Sequence, residues 1–189
     1  MKSKRKCFRR NRKPNAGMTF LETMVALGLL LVVASGVMGL ASVAVSTTET
    51  QGHLAARTAE YAQDKMEQLL ALKFCDCTTD TTQFPAVSSG GTGLGPQCTN
   101  ITAAVPTATA GGGLNPTAPT TGYVDYLDAS GNLVASTASW EYVRVWQISV
   151  PAGSVGLKQI TVLAQTSKGV GSSGRLPQAT VVALKTYPF

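Results

Sequence analysis

Acidic residues are scarce and unevenly placed: none occurs in residues 1–17, and only ten occur in the whole chain of 189. Histidine is rarer still, with His53 alone, and aromatic residues make up 6%. A single imidazole leaves no basis for a histidine-rich metal centre, and so few aromatics none for a base-stacking surface. Charged residues of all kinds reach only 14%, against 44% hydrophobic. Such a chain is too apolar and too weakly charged to be disordered throughout. Its length suits one domain, or one domain with appendages.

The charge that is present is divided. Lys2, Lys4, Arg5, Lys6, Arg9, Arg10, Arg12 and Lys13 crowd into residues 1–17, eight of the 16 basic residues. Residues 18–189 hold the other eight and all ten acids, a net of −2 although the whole chain is +6. A basic body built to coat nucleic acid is excluded, and no nucleic-acid partner is expected.

Behind the basic leader, Met24–Val45 runs for 22 residues without a charge. As a helix it spans about 33 Å, close to the roughly 30 Å of a bilayer core. The charge asymmetry places residues 1–17 in the cytoplasm and everything after Val45 outside. An ordinary secretory signal has an apolar core of about 7–15 residues before its cleavage site. Ser42-Val43-Ala44 has the form of such a site, but the run before it is too long, and no Cys directly after it offers a lipoprotein acceptor. A plain uncleaved anchor remains, except for Glu22. An ionisable group at a membrane helix costs about 3 kcal/mol and marks a function. A carboxylate there serves a helix that packs against copies of itself, by pairing with a neighbour's free amine.

The string Gly17-Met18-Thr19-Phe20-Leu21-Glu22, followed by Thr23-Met24-Val25-Ala26-Leu27-Gly28-Leu29-Leu30, resembles the prepilin signal of type IV pilins and type II secretion pseudopilins. The resemblance implies cleavage between Gly17 and Met18 by a prepilin peptidase, which methylates the new amine on Met18. It makes Phe20 and Leu21 part of the assembly helix and Glu22 the fifth mature residue, paired with a neighbour's amine. The family usually begins its mature chain with Phe, whereas Met18 stands here. Implied partners are the prepilin peptidase and methylase, other pilins or pseudopilins, an inner-membrane assembly platform and membrane lipid.

Helical character persists beyond the apolar run. Ala55, Ala59, Ala62, Met66 and Leu69 recur at spacings of 4, 3, 4 and 3, one helical face. The helix is expected over residues 18–74, about 85 Å long, with 24–45 in the membrane and an amphipathic second half. Gly36 and Gly39 are its soft points, each weakening a helix by about 1 kcal/mol. Residues 75–121 are rich in Thr, Ser, Gly and Pro and read as irregular loop. Residues 122–189 hold strand patterns at Tyr123–Leu127, Leu133–Val134, Glu141–Val150, Ile160–Gln165 and Val181–Thr186. The fold class is α+β: a long N-terminal helix on an antiparallel sheet of three to four strands, which the resemblance makes pilin-like.

Little in the chain suggests chemistry. Gly169–Gly174 spells GxGxxG, but Arg175-Leu176-Pro177 and a strand follow where a dinucleotide site needs a helix. His53 reads as a solvated helix-face residue. Asp125 with Asp128, and Asp76 with Asp80, read as turn carboxylates. Cys7 would leave with the leader. Cys75, Cys77 and Cys98 fall one ligand short of a structural zinc site. One disulfide from Cys98 to Cys77 or Cys75 is expected, on the oxidising side of the membrane. No cofactor, metal or catalytic residue is assigned.

The reading is a non-enzymatic minor pilin or minor pseudopilin. It would sit in a bacterial inner membrane with its C-terminal domain outside, then in a periplasmic or surface filament. The alternatives are a single-pass anchored domain with a binding role and a DNA-uptake pseudopilin.

Overall fold

Thr19 starts the long helix. In the computed structural model, which describes residues 19–167 and 176–188, its hydroxyl and carbonyl accept the backbone N–H of Glu22 at 3.4 and 3.0 Å. A Thr at this position satisfies an N–H that the helix leaves free. Helix α1 then runs over Phe20–Ala71. The leader, Cys7, Gly17, Met18 and the Gly169–Gly174 motif lie outside the described residues. The helix stops short of the expected Phe74 because Leu72 N–H turns back to Leu69 O at 3.3 Å. The chain then swings Phe74 into a small cluster with Cys98 and Ala108.

The chain parts into two compact units, up to Val45 and from Ser46 onward. In the first, every large apolar side chain from Phe20 to Val45 is more than half exposed. The helix is long and apolar enough there to cross a membrane. Two of its hydroxyls are satisfied within the helix, Thr23 on Phe20 O at 2.8 Å and Ser35 on Val32 O at 2.9 Å, as an apolar surrounding requires. Gly36 and Gly39 are helical, with open space where a side chain would stand.

In the second unit the helix packs on a sheet of six strands among the described residues, more than the three to four expected. They are β1 Gly111–Gly112, β2 Val124–Leu127, β3 Leu133–Val134, β4 Tyr142–Ser149, β5 Leu157–Thr166 and β6 Gln178–Thr186. All pairings are antiparallel in the order β3-β2-β4-β5-β6. β1 extends the β2 side of β4, pairing Gly111 with Ile148 and Gly112 with Gln147. That strand arises inside the segment read as irregular loop, where two glycines gave no alternation to detect. The five strands with side-chain patterning fall where the sequence placed them.

The helical stripe needs one correction. Ala62, Met66 and Leu69 are buried, but Ala55 is exposed and Ala59 only half-buried. The buried face is Thr58, Tyr61, Ala62, Lys65, Met66 and Leu69. It meets Trp146 and Ile148 of β4 and Ile160, Val162 and Ala164 of β5. The register Trp146–Val162 and Ile148–Ile160 keeps these side chains on one face of the sheet. At one end, Tyr61 stacks edge-on against Tyr142 with ring centroids 4.9 Å apart. Gly131, at φ 86°, lets the β2–β3 turn pass that ring where a Cβ would meet the Tyr61 hydroxyl at 2.8 Å.

A disulfide joins Cys75 to Cys98 and leaves Cys77 free, which resolves the pairing. It ties the exit of the helix to the long loop. Breaking it by Cys98→Ser is expected to lower stability by about 3 kcal/mol, the chain-entropy value for a loop of this size. Denaturant unfolding of the detergent-solubilised chain, compared with the wild type, measures it.

Candidate functional site

Two sets of residues stand out, one in each unit. Among the described residues of the first, Thr19 to Val45, Glu22 is the only charged side chain. It is exposed, in the first turn of the helix. Its carboxylate faces the partial positive charge of the helix N-terminus, where an anion is stabilised by about 0.3–1 kcal/mol. Phe20 and Leu21 beside it are 78% and 76% exposed. Glu22 thus stands at the edge of an uncovered apolar column.

The second set is a buried charge cluster between helix and sheet. Asp125 on β2 accepts from Arg144 Nε at 2.7 Å and Nη2 at 2.9 Å, and pairs with Lys65 Nζ at 2.8 Å. Arg144 turns its remaining nitrogen, Nη1, to Asp64 Oδ2 at 3.0 Å and Tyr61 O at 3.3 Å. Lys65 also donates to Thr81 O at 2.5 Å and lies 4.0 Å above the Trp146 ring, a cation–π contact. Two cations and two carboxylates balance. The helix supplies Asp64 and Lys65, and the adjacent strands supply Asp125 and Arg144, whose register partners they are.

Burial lowers the pKa of Lys65, with Asp125 opposing that effect and Arg144 adding to it. Burial also penalises the charge on Arg144, but Asp125 and Asp64 outweigh it and raise its pKa. Lys65, Asp125 and Arg144 are almost wholly covered, and only Asp64 reaches solvent. The cluster is a clamp that fixes the helix on the sheet.

A third cation is buried elsewhere. Lys158 Nζ donates to Leu94 O at 2.7 Å and sits 5.1 Å from the Phe74 ring centre. Burial lowers its pKa to about 8 from 10.5, with Cys77 and Asp76 opposing. The folded chain therefore binds fewer protons than the unfolded one between those values, and stability rises with pH from about 8 to about 10. Tyr123 and Tyr142, raised by burial, reverse the trend above their ordinary 10. The unfolding midpoint measured from pH 7.5 to 9.5 is expected to climb, and Lys158→Met to reduce the climb, to which Lys65 and Lys185, also lowered by burial, contribute in the same direction.

Other expectations resolve plainly. His53 is exposed. Asp128 holds a turn, accepting from Ser130 N at 2.8 Å and Asn132 N at 2.9 Å. Asp76 and Asp80 do likewise, with Thr79 and Thr82. Asp125 is the exception: it lies in a strand and is buried, so it is not a turn carboxylate. Sequence reasoning missed the cluster, although two signals were present. Lys65 falls between Ala62 and Met66 on the core stripe, and Arg144 alternates with Trp146 and Ile148. No group of three or more His, Cys, Asp or Glu suited to a metal occurs among the described residues. Cavities of 480 and 510 Å³ flank Phe84, which is 82% exposed; Asp64, Gln68 and Asn132 border one, and Tyr126 and Val134 the other. Comparison with protein-family models, curated proteins and solved structures finds no match to this chain.

Proposed function

We propose that the chain is a structural subunit of a type IV pilin-like filament, of the minor pilin or minor pseudopilin kind. The observation that carries this reading is the uncovered apolar helix with one carboxylate, Glu22, at its capped start. Its sequence context supports it: a leader of eight cations ending in Gly17. The subunit is inserted with its leader in the cytoplasm, cut after Gly17 and methylated on Met18. It then leaves the bacterial inner membrane for a periplasmic or surface filament. Apolar helices fill the filament core, and Glu22 pairs with the amine of a neighbour's Met18. The sheet and loops face outward, and the subunit performs no catalytic step.

Several features fit this role. The exposed helix has an area that only lipid or other helices can cover. The charge clamp and disulfide hold the globular unit to its own part of the helix against the pull of assembly. A DNA-uptake role gains no electrostatic support, because residues 18–189 carry a net charge of −2. The cavities beside Phe84 favour a second reading, a single-pass anchored domain that binds a ligand with its N-terminus uncut.

Co-expression with a prepilin peptidase separates the two. The filament reading expects conversion to a shorter chain, prevented by Gly17→Val. A chain whose length ignores the peptidase belongs to the second reading.

A further inference from the structure

Among the described residues of the globular unit, Phe84 is the most exposed large apolar side chain, at 82%. It does not stand on a flat surface. Cavities of 510 and 480 Å³ both reach it, and both reach Leu133 of β3, so they adjoin as one cleft. We propose that this cleft binds a neutral oligosaccharide, with a sugar ring laid on the Phe84 face and its hydroxyls on the side-chain amides of Gln68, Gln83 and Asn132. The inference rests on the globular unit alone and holds under either reading of the N-terminus.

The lining selects the ligand class first by charge. Its ionised side chains are Asp64, Asp125 and Arg144. All three belong to the clamp, where with Lys65 two cations balance two carboxylates. An anion or a cation therefore meets no counter-charge that is not already paired, and a neutral ligand gives up less solvation to enter.

The polar groups then exclude a purely apolar ligand. Gln68 and Asn132 border one cavity and Gln83 the other. Each amide gives an N–H to a carboxylate: Gln68 to Asp64 at 3.3 Å, Gln83 to Asp80 at 2.6 Å and Asn132 to Asp128 at 3.1 Å. A carboxylate only accepts, so the amide nitrogen must face it and the carbonyl oxygen stays available to a donor. An apolar ligand would cover these amides without bonding them. Hydroxyl groups would bond them. Phe84 supplies the other half of the match. The face of an aromatic ring carries partial negative charge, which attracts weakly positive C–H groups. A sugar ring is apolar on its faces and hydroxylated at its rim, and so fits an aromatic face bordered by amides.

The cleft is built on fixed elements. Gln68 lies one turn beyond Asp64 on the helix that the clamp holds, and Asn132 follows Gly131 in the turn that fits against Tyr61. Each cavity has the volume of an ordinary small-molecule site, about 300–1,000 Å³. With Phe84 between the two, the cleft suits a ligand of more than one ring.

The full chain, held in a detergent without a sugar headgroup, is applied to an array of neutral oligosaccharides of hexose and N-acetylhexosamine units set beside sialylated and sulfated ones. Bound chain is read with an antibody. The expected result is binding to one or more neutral members, about tenfold weaker in Phe84→Ala. Gln68→Leu, which keeps the size of the side chain but removes its amide, should weaken it too. Phe84→Ala should keep the unfolding midpoint of the wild type, because the ring is exposed. An array on which no neutral member binds overturns the proposal. So does binding confined to the anionic members, or binding that Phe84→Ala leaves unchanged. The peptidase experiment is read separately, so failure on the array leaves the filament reading standing.

Discussion

Asp125→Ala is expected to cost the globular unit about 3–5 kcal/mol, because it leaves two cations buried with no shared counter-charge. Lys65 Nζ and both Arg144 contacts, at 2.7 to 2.9 Å, converge on this one carboxylate. Removing it sets the Lys65 ammonium and the Arg144 guanidinium against each other in an interior that already disfavours the charge on Lys65. Losses of that size approach the whole stability of a small domain. Asp64→Ala is the contrasting change. Its side chain is 58% exposed, so it should cost no more than about 1 kcal/mol. Denaturant unfolding of both variants in detergent measures the difference. Equal and small losses would show that the cluster does not clamp the helix.

Glu22→Ala is expected to leave membrane insertion intact and to abolish assembly. Insertion depends on the 22 apolar residues and the leader, which the change does not touch. Assembly depends on neutralising a charge within a low-dielectric bundle. At about 3 kcal/mol for the unpaired group, incorporation should fall about 100-fold. Glu22→Gln separates charge from shape. It keeps the size of the side chain and the backbone cap on Thr19, yet it should fail as Ala fails. Immunoblots of membrane and sheared filament fractions read both. Normal incorporation of either variant would remove ion pairing from the mechanism, whereas loss from the membrane fraction would make Glu22 a residue of insertion.

Legibility in the sequence followed periodicity. Strands β2 to β6 were readable because β-branched and aromatic residues alternate in them, most clearly in EYVRVWQISV. The helix was readable from its apolar run and from Ala62, Met66 and Leu69. Strand β1 was not, since Gly111 and Gly112 have no side chains to alternate. Ala55 was misplaced because alanine suits either side of a helix, and the sheet does not reach it. The disulfide was narrowed to two partners, and only the turn around Asp76 chose Cys75. The charge clamp escaped because charged side chains are ordinarily assigned to the surface. Reading Lys65 and Arg144 by position instead of by type would have placed both in the core. Glu22 was legible for the opposite reason, as a charge where none is tolerated without use.

The central claim is tested most directly at the N-terminus of the chain isolated from native membranes and analysed intact by mass spectrometry. The account predicts a protein that begins at Met18 with a methylated amine. A chain that still begins at Met1, or that begins just after Ala44, would contradict it.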